Sequence, residues 1–430
     1  MTTLGIALQL TPRNFGITSC LLLCTIGLSA QNAPTTRAAE IEQARDAKIA
    51  TLKPEEVSKT EGRLRAIKEQ HLLERISSGY NGLRVKLGGI VTGGGFAVGP
   101  EYLREDLLGG KMMLRASAQA STKHYTNLEA ETEFRKLWDD RVTLSLLATR
   151  RDYGGLNYYG PGPDSELSDR SNYRLEDTAT SVFGTLRPVR AIKLGASTGG
   201  LWINTGPGTD KRFASAETLF SPAVAPGIDR QTNYQRTSVF GQVDYRDDPL
   251  GPKAGGNYVF QHTWYRDIGL GAYGFRRTDI DLQQYIPFLN KTHRIALRAK
   301  ATFTESDAGQ QTPFYLQPIL GGSDDLRGYR FFRFSDRNMV VYNAEYQWEI
   351  FAGLEGAVFA DAGKVMAKRG QLGFSSMESD AGFGLRFNAN NRTFMRFDVG
   401  FSHEGFQMWF KFNDIFNARR FGTSAGQPIY

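Results

Sequence analysis

Cysteine is almost absent from this chain. Cys20 and Cys24 are the two in 430 residues, and both fall inside one apolar run near the start. The rest of the sequence therefore has no disulfide framework, no catalytic thiol and no thiolate metal site. Histidine is nearly as scarce. His71, His124, His262, His293 and His403 are scattered without ligand spacing, so neither a metal nor another cofactor is expected. No block of Lys or Arg occurs, and a net charge of +7 is mild for this length. That excludes a nucleic-acid grip. Outside residues 16–30, no apolar run approaches the length of a membrane-spanning helix. The stretch GLGAYG at 269–274 fits a dinucleotide pattern, but strand-like sequence flanks it and no helix follows. It reads as a turn. No Ser or Asp stands beside a His in a pattern that suggests catalysis, so no enzyme is expected.

Three kinds of sequence remain. Arg13 precedes the apolar run GITSCLLLCTIGLSA, which ends in small residues. Residues 1–30 read as a secretory signal peptide, cleaved near Ala30. Residues 31–81 read as a periplasmic helical segment. AAEIEQARDAKIATL is rich in helix formers, Pro54 interrupts it, and Pro54-Glu55-Glu56 suits a new first turn. Leu64, Ile67, Leu72 and Ile76 give a partial apolar stripe. The segment is a solvated or docking helix, or, in a functional reading, a plug or partner-binding element.

From Gly82 the period changes to two. Met112, Leu114, Ala116, Ala118 and Ala120 alternate with Lys111, Arg115, Ser117 and Gln119. Ile295, Leu297, Ala299, Ala301 and Phe303 alternate with Arg294, Arg298, Lys300 and Thr302. Many runs reach roughly nine to eleven residues, the span of a tilted transmembrane strand. Charges spaced two apart on the polar side, such as Asp279 with Asp281, suit a wet lumen rather than a packed core; they read as solvated lumen charge, not a cation site. The pattern predicts an all-β fold: a sixteen-stranded antiparallel transmembrane β-barrel over residues 82–416, followed by a tail at 417–430. Strand centres are expected near Val85, Val98, Ala116, Thr132, Leu144, Ala179, Leu194, Val239, Phe260, Ile280, Leu297, Ala344, Val358, Gly384, Phe397 and Phe410. An even number returns the chain to its starting side and closes the sheet. Short turns are expected after strands four, six, eight, ten, twelve and fourteen. Long loops follow strands five, seven, eleven and thirteen, all on the outer side.

The long loop after strand eleven carries GGSDDLRGYRFF (321–332). This segment resembles the signature loop of the BamA/TamA superfamily of outer-membrane assembly factors, the bacterial surface antigen family. Leu326-Arg327-Gly328-Tyr329 matches its Val-Arg-Gly-Phe/Tyr. Phe359-Ala360-Asp361-Ala362-Gly363 is similar to its Phe-x-Asp-x-Gly. DYRDDPLGPKAGG (244–256), NYYGPGPDS (157–165) and GFGLRF (382–387) resemble further family elements in the family's order. Two features depart from it. Residues 31–81 are too few and too helical for a POTRA domain, which points to the reduced, POTRA-less branch. Glu345-Tyr346-Gln347 stands where the family has Glu-x-Arg.

The resemblance implies that the loop folds back inside the barrel and that its arginine meets an acid on the inner wall. Alternation then places Asp361 and Phe359 in the lumen. Glu345 and Glu349 also point inward, while Tyr342, Tyr346 and Trp348 point out. Arg327 is expected to lock onto Asp361, Glu345 or Glu349, since its planar fork suits carboxylates. Gly328 is expected to allow a tight tip, with Tyr329 packed on the wall. A second candidate is the seam between first and last strands. Gly88 and Gly89 weaken the first strand, opposite Phe410 and Phe412 in the last. The seam is either a lateral gate or an ordinary hairpin edge. The expected role is to assist assembly, insertion or translocation of a protein or lipid at the outer membrane of a Gram-negative-type bacterium. Its surroundings would be outer-membrane lipid and lipopolysaccharide, with a periplasmic helper or client protein as partner and no nucleic acid. The alternative is a passive, porin-like channel narrowed by the inward loop.

Overall fold

The computed structural model describes residues 80–411, apart from Thr92, Leu250, Asn290, Lys291, Asn390 and Asn391. The expected signal peptide at 1–30, residues 31–79 of the expected helical segment, the expected tail at 417–430 and Phe412 lie outside the described residues.

Sixteen strands form one antiparallel sheet in chain order. They are β1 Leu83–Gly88, β2 Ala97–Asp106, β3 Met112–Ser121, β4 Thr126–Leu137, β5 Val142–Tyr158, β6 Ser171–Val189, β7 Ile192–Pro207 and β8 Tyr234–Asp244. Then come β9 Gly255–Asp267, β10 Phe275–Phe288, β11 His293–Ser306, β12 Asn338–Phe351, β13 Leu354–Met366, β14 Glu378–Ala389, β15 Arg392–Ser402 and β16 Gly405–Lys411. Every expected strand centre falls inside its strand. The long connections, 159–170, 208–233, 307–337 and 367–377, share one side. The barrel is nearly closed. Among the described residues, pairing runs unbroken from β1 to β16, and no ladder joins those two end strands.

Side-chain alternation sorts the two faces. Leu146, Val239, Phe260, Leu282 and Val358 stand exposed on the outside, while Arg298, Lys300, Glu345, Asp361, Arg386 and Asp398 are buried inside. A continuous exposed apolar band is abnormal in water and is what a bilayer requires. Near the short-turn rim, Phe288, His293, Tyr346 and Trp348 stack into an outward aromatic ladder, and His293 shares a hydrogen bond of 2.6 Å with the Tyr346 hydroxyl. Aromatic girdles of this kind sit at membrane interfaces.

At the opposite mouth, the protruding ends of β5 to β7 and the long connections enclose an aromatic cluster that includes Tyr153, Tyr158, Tyr173, Phe314, Phe331 and Phe332. The 307–337 connection supplies the last three. Within it, Ile319–Leu320 pairs with Phe334–Ser335 as a small hairpin. That hairpin frames the segment carrying Arg327.

Candidate functional site

The site is built where the 307–337 connection meets the inner wall of β12 to β16. Arg327 is the centre. Its Nε donates to Asp361 Oδ2 at 2.7 Å and its Nη2 to Asp361 Oδ1 at 2.8 Å, the two-pronged geometry that an arginine fork favours. Its Nη1 donates to Glu345 Oε2. The guanidinium carbon also lies 3.4 Å from the centroid of the Phe359 ring, so one face is covered by an aromatic. The Arg327 side chain is 3 % exposed, and those of Asp361 and Glu345 are 0 % exposed.

The two carboxylates are held in turn. Asn343 donates to Asp361 at 2.8 Å. Gln347 donates to Glu345 at 2.6 Å, and Arg386 on β14 donates to the same oxygen at 2.7 Å. Gln347 thus stands where the resemblance places an arginine, and Arg386 brings the positive charge from two strands away. Arg386 also pairs with Asp398 on β15 at 2.6 Å.

A second tier ties the acidic pair before Arg327. Asp324 meets Lys411 on β16 at 2.6 Å and Arg396 on β15 at 3.1 Å. Asp325 meets Lys300 on β11 at 3.1 Å. Arg298 pairs with Asp281 at 2.7 Å, and Arg277 with Asp279 at 2.9 Å. The lumen charges on β10 and β11 are therefore ion-paired rather than freely solvated, a correction to the sequence reading. For Asp279 and Asp281 the partners are inward arginines of the wall itself, Arg277 on β10 and Arg298 on β11, while the loop adds Asp325 against Lys300 and the Asp324 carbonyl against Arg298.

One further expectation changes and another gains a second reason. Glu349 shares the parity of Glu345 but lies exposed at the short-turn end of β12, opposite Glu355, away from the arginine. Parity fixes the face of a strand, not the depth along it. Gly328 stands in the tight turn that was expected, with the Tyr329 N–H donating to the Leu326 carbonyl at 3.3 Å, and it also serves closeness. A Cβ there would sit 2.5 Å from the Cβ of Asp380, and a Cβ on Gly400 of β15 would sit 2.5 Å from the Arg327 carbonyl. Loop backbone and wall backbone touch because both residues lack side chains. Ser402 donates to the Gly328 carbonyl at 2.9 Å, and Trp409 on β16 donates to the Arg327 carbonyl at 2.7 Å. Tyr329 is fully buried and its hydroxyl donates to Glu378 at 2.7 Å.

The same loop crosses to the other edge of the sheet. Phe331 packs directly on Gly93, in the connection between β1 and β2. Arg333 pairs with Glu404, between β15 and β16, at 2.6 Å, and bonds Ser165 after β5. The edges themselves are short and greasy. Leu83 and Val85 on β1, and Phe406, Met408 and Phe410 on β16, are exposed. Gly88 closes β1 with φ +141, a backbone shape that side chains disfavour. Gly89 lies just past the strand.

Residues 106–413 match the Omp85 superfamily domain. The chain belongs to the Omp85 superfamily. Curated proteins yield no match to the sequence. Among solved structures, BamA from Haemophilus ducreyi lacking POTRA domains 1–3 is similar, with 14 % identity, a TM-score of 0.58, 78 % of this chain covered and 70 % of that one. CdiB from Escherichia coli is similar at 13 % identity and a TM-score of 0.53, over 77 % of this chain and 62 % of that one. At such identities the likeness is one of fold. The chain is an outer-membrane protein of the Gram-negative type. Within this Omp85 barrel, residues that sequence reasoning missed are Asp324, Asp325, Arg386, Arg396, Gly400, Ser402 and Trp409. The inward parity of Arg386 and Arg396 was the available signal; the loop partners had none.

Proposed function

We infer that this Omp85 barrel assists insertion or translocation of a protein at the outer membrane, with its β1–β16 edge as the lateral exit and the Arg327 loop as the lock that holds the barrel shut. The observation that carries the reading is that, among the described residues, no ladder joins β1 to β16. An exit through the wall needs an edge that can part at small cost, and edge strands offer unpaired N–H and C=O groups to an incoming strand. The Arg327 contacts with Asp361 and Glu345 support the role of lock, because releasing a buried arginine from two carboxylates is costly. A periplasmic helper would deliver the client, and the segment before residue 80 is its natural contact.

The experiment uses liposomes containing the full chain and a small outer-membrane barrel diluted from urea. Folding of that client, followed by the heat-resistant gel shift, is expected to run faster than in empty liposomes. Paired cysteines placed across β1 and β16 are expected to abolish the gain when oxidised and restore it when reduced. Equal rates with and without the chain defeat the insertion reading; full activity in the crosslinked state defeats the lateral exit.

A further inference from the structure

The outer mouth holds a cleft that the lock and seam do not use. It measures about 890 Å³, the size of a small-molecule site. All four long connections contribute to its wall, together with the outer end of β13.

Three of its polar side chains are buried and short of partners. Gln317 is 7 % exposed and its Oε1 accepts no hydrogen bond among the described residues. Asp336 is 6 % exposed. Its Oδ1 accepts the Arg337 backbone N–H at 2.7 Å, and among the described residues the carboxylate forms no ion pair. Burial holds that carboxyl above its usual range, against the opposing pull of Arg337. Lys364 is 6 % exposed, and its ammonium donates to the Ser375 carbonyl at 3.1 Å, with no carboxylate of the described residues in ion-pair reach. Buried polar atoms left in this way ask for a partner from outside the chain.

The lining selects what that partner is. Asp164 and Asp336 balance Arg337 and Lys364, so the cleft has no net charge with which to attract an ion. An apolar ligand would strand Gln317 and Asp336 without donors. A hydroxyl group both donates and accepts, and so serves Gln317, Asp336 and Lys364 alike. Gln310, Gln311 and Gln371 add amides around the cleft, while Pro226 and Met366 give apolar contacts for C–H faces. We propose that this outer cleft binds a neutral, hydroxyl-rich ligand, a short sugar chain, with Gln317, Asp336 and Lys364 as its buried contacts.

The test uses the full chain refolded in detergent, titrated with maltotriose, cellotriose, chitotriose and inorganic phosphate by calorimetry and saturation-transfer NMR. Saturable binding of at least one trisaccharide is expected, with none for phosphate. Gln317→Leu is expected to weaken it at least tenfold. Ala223→Trp, on the exposed rim of the cleft, is expected to block it with the barrel's heat resistance unchanged. Should Gln317→Leu fail to fold, the rim variant alone decides. No saturation by any trisaccharide, binding of phosphate alone, or binding that survives Ala223→Trp overturns the proposal. Intact lipopolysaccharide added to the micelles separates the sources. Displacement of the bound trisaccharide assigns a surface glycolipid, and no displacement assigns a free sugar; the ligand class stands in both cases.

Discussion

Trp409 donates its indole N–H to the carbonyl oxygen of Arg327, while the Arg327 side chain grips Asp361. One loop residue thereby joins the last strand to β13 through two groups that do not overlap. The main chain serves the edge and the guanidinium serves the wall, so substitutions can address each separately.

Removing the fork should be costly. Arg327→Ala leaves Asp361 and Glu345 buried beside each other without their shared cation. Such a loss is worth about 3–5 kcal/mol. The temperature at which the folded gel band converts should fall, and protease should cut within 307–337. Arg327→Lys keeps the charge but not the two-pronged bond, and should fall between the two. An unchanged melting temperature for Arg327→Ala would remove the lock.

Closeness at Gly328 makes a separate prediction. Gly328→Ala and Gly400→Ala each force the loop off the wall. Each should expose the loop to protease with Arg327 intact. Combined with Arg327→Ala, either should add less than its own effect, because the loop has already left. Full additivity in stability measurements would contradict this.

Trp409→Phe keeps a ring but deletes the donor. The Arg327 carbonyl then lacks its bond, a cost of about 1–3 kcal/mol if it stays buried. Amide exchange should quicken in β16 and hardly at all in β6. Equal protection in β16 before and after substitution would show that the edge does not depend on this bond.

Conductance separates the assembly reading from the passive channel. In planar bilayers the wild-type barrel should show small, erratic openings, since the loop and the aromatic cluster occupy the lumen and mouth. Arg327→Ala should give larger and longer ones. Large steady openings in the wild type would favour a porin.

The outer connection 208–233 should loosen in acid. Arg212, through its side-chain hydrogen bonds of 2.9 and 2.7 Å, holds Asp210 down to about 2. The unfolded value is about 3.9. A depressed carboxyl contributes stability that is fully present above the unfolded value and is lost as pH falls through the folded one. Amide exchange across 208–214, corrected for intrinsic rates, should therefore rise between about pH 4 and about pH 2, and Asp210→Asn should flatten the change.

The strands could be read from sequence because lipid and lumen demand opposite chemistry on alternate residues. Even β4, whose outward side is the mixed set Leu128, Ala130, Thr132 and Phe134, keeps Glu129, Glu131 and Arg135 on the other parity. Arg327 and Asp361 could be found through motif and parity together. Glu349 could not be ruled out, because alternation carries no depth. The bond from Asp324 to Lys411 spans 87 positions and leaves no periodic trace. Gly328 could be read as a turn residue, but its close approach to Asp380 and Gly400 on the touching wall leaves no mark in the sequence.

That long span also sets a chronology. Asp324 waits for Lys411, and the Arg327 carbonyl waits for Trp409, both on the final strand. Contacts so distant along the chain form late. The guanidinium can find its wall earlier, but the backbone of the cork is fastened only by the final strand, so full protection of the loop from protease would be a completion stamp on a finished molecule.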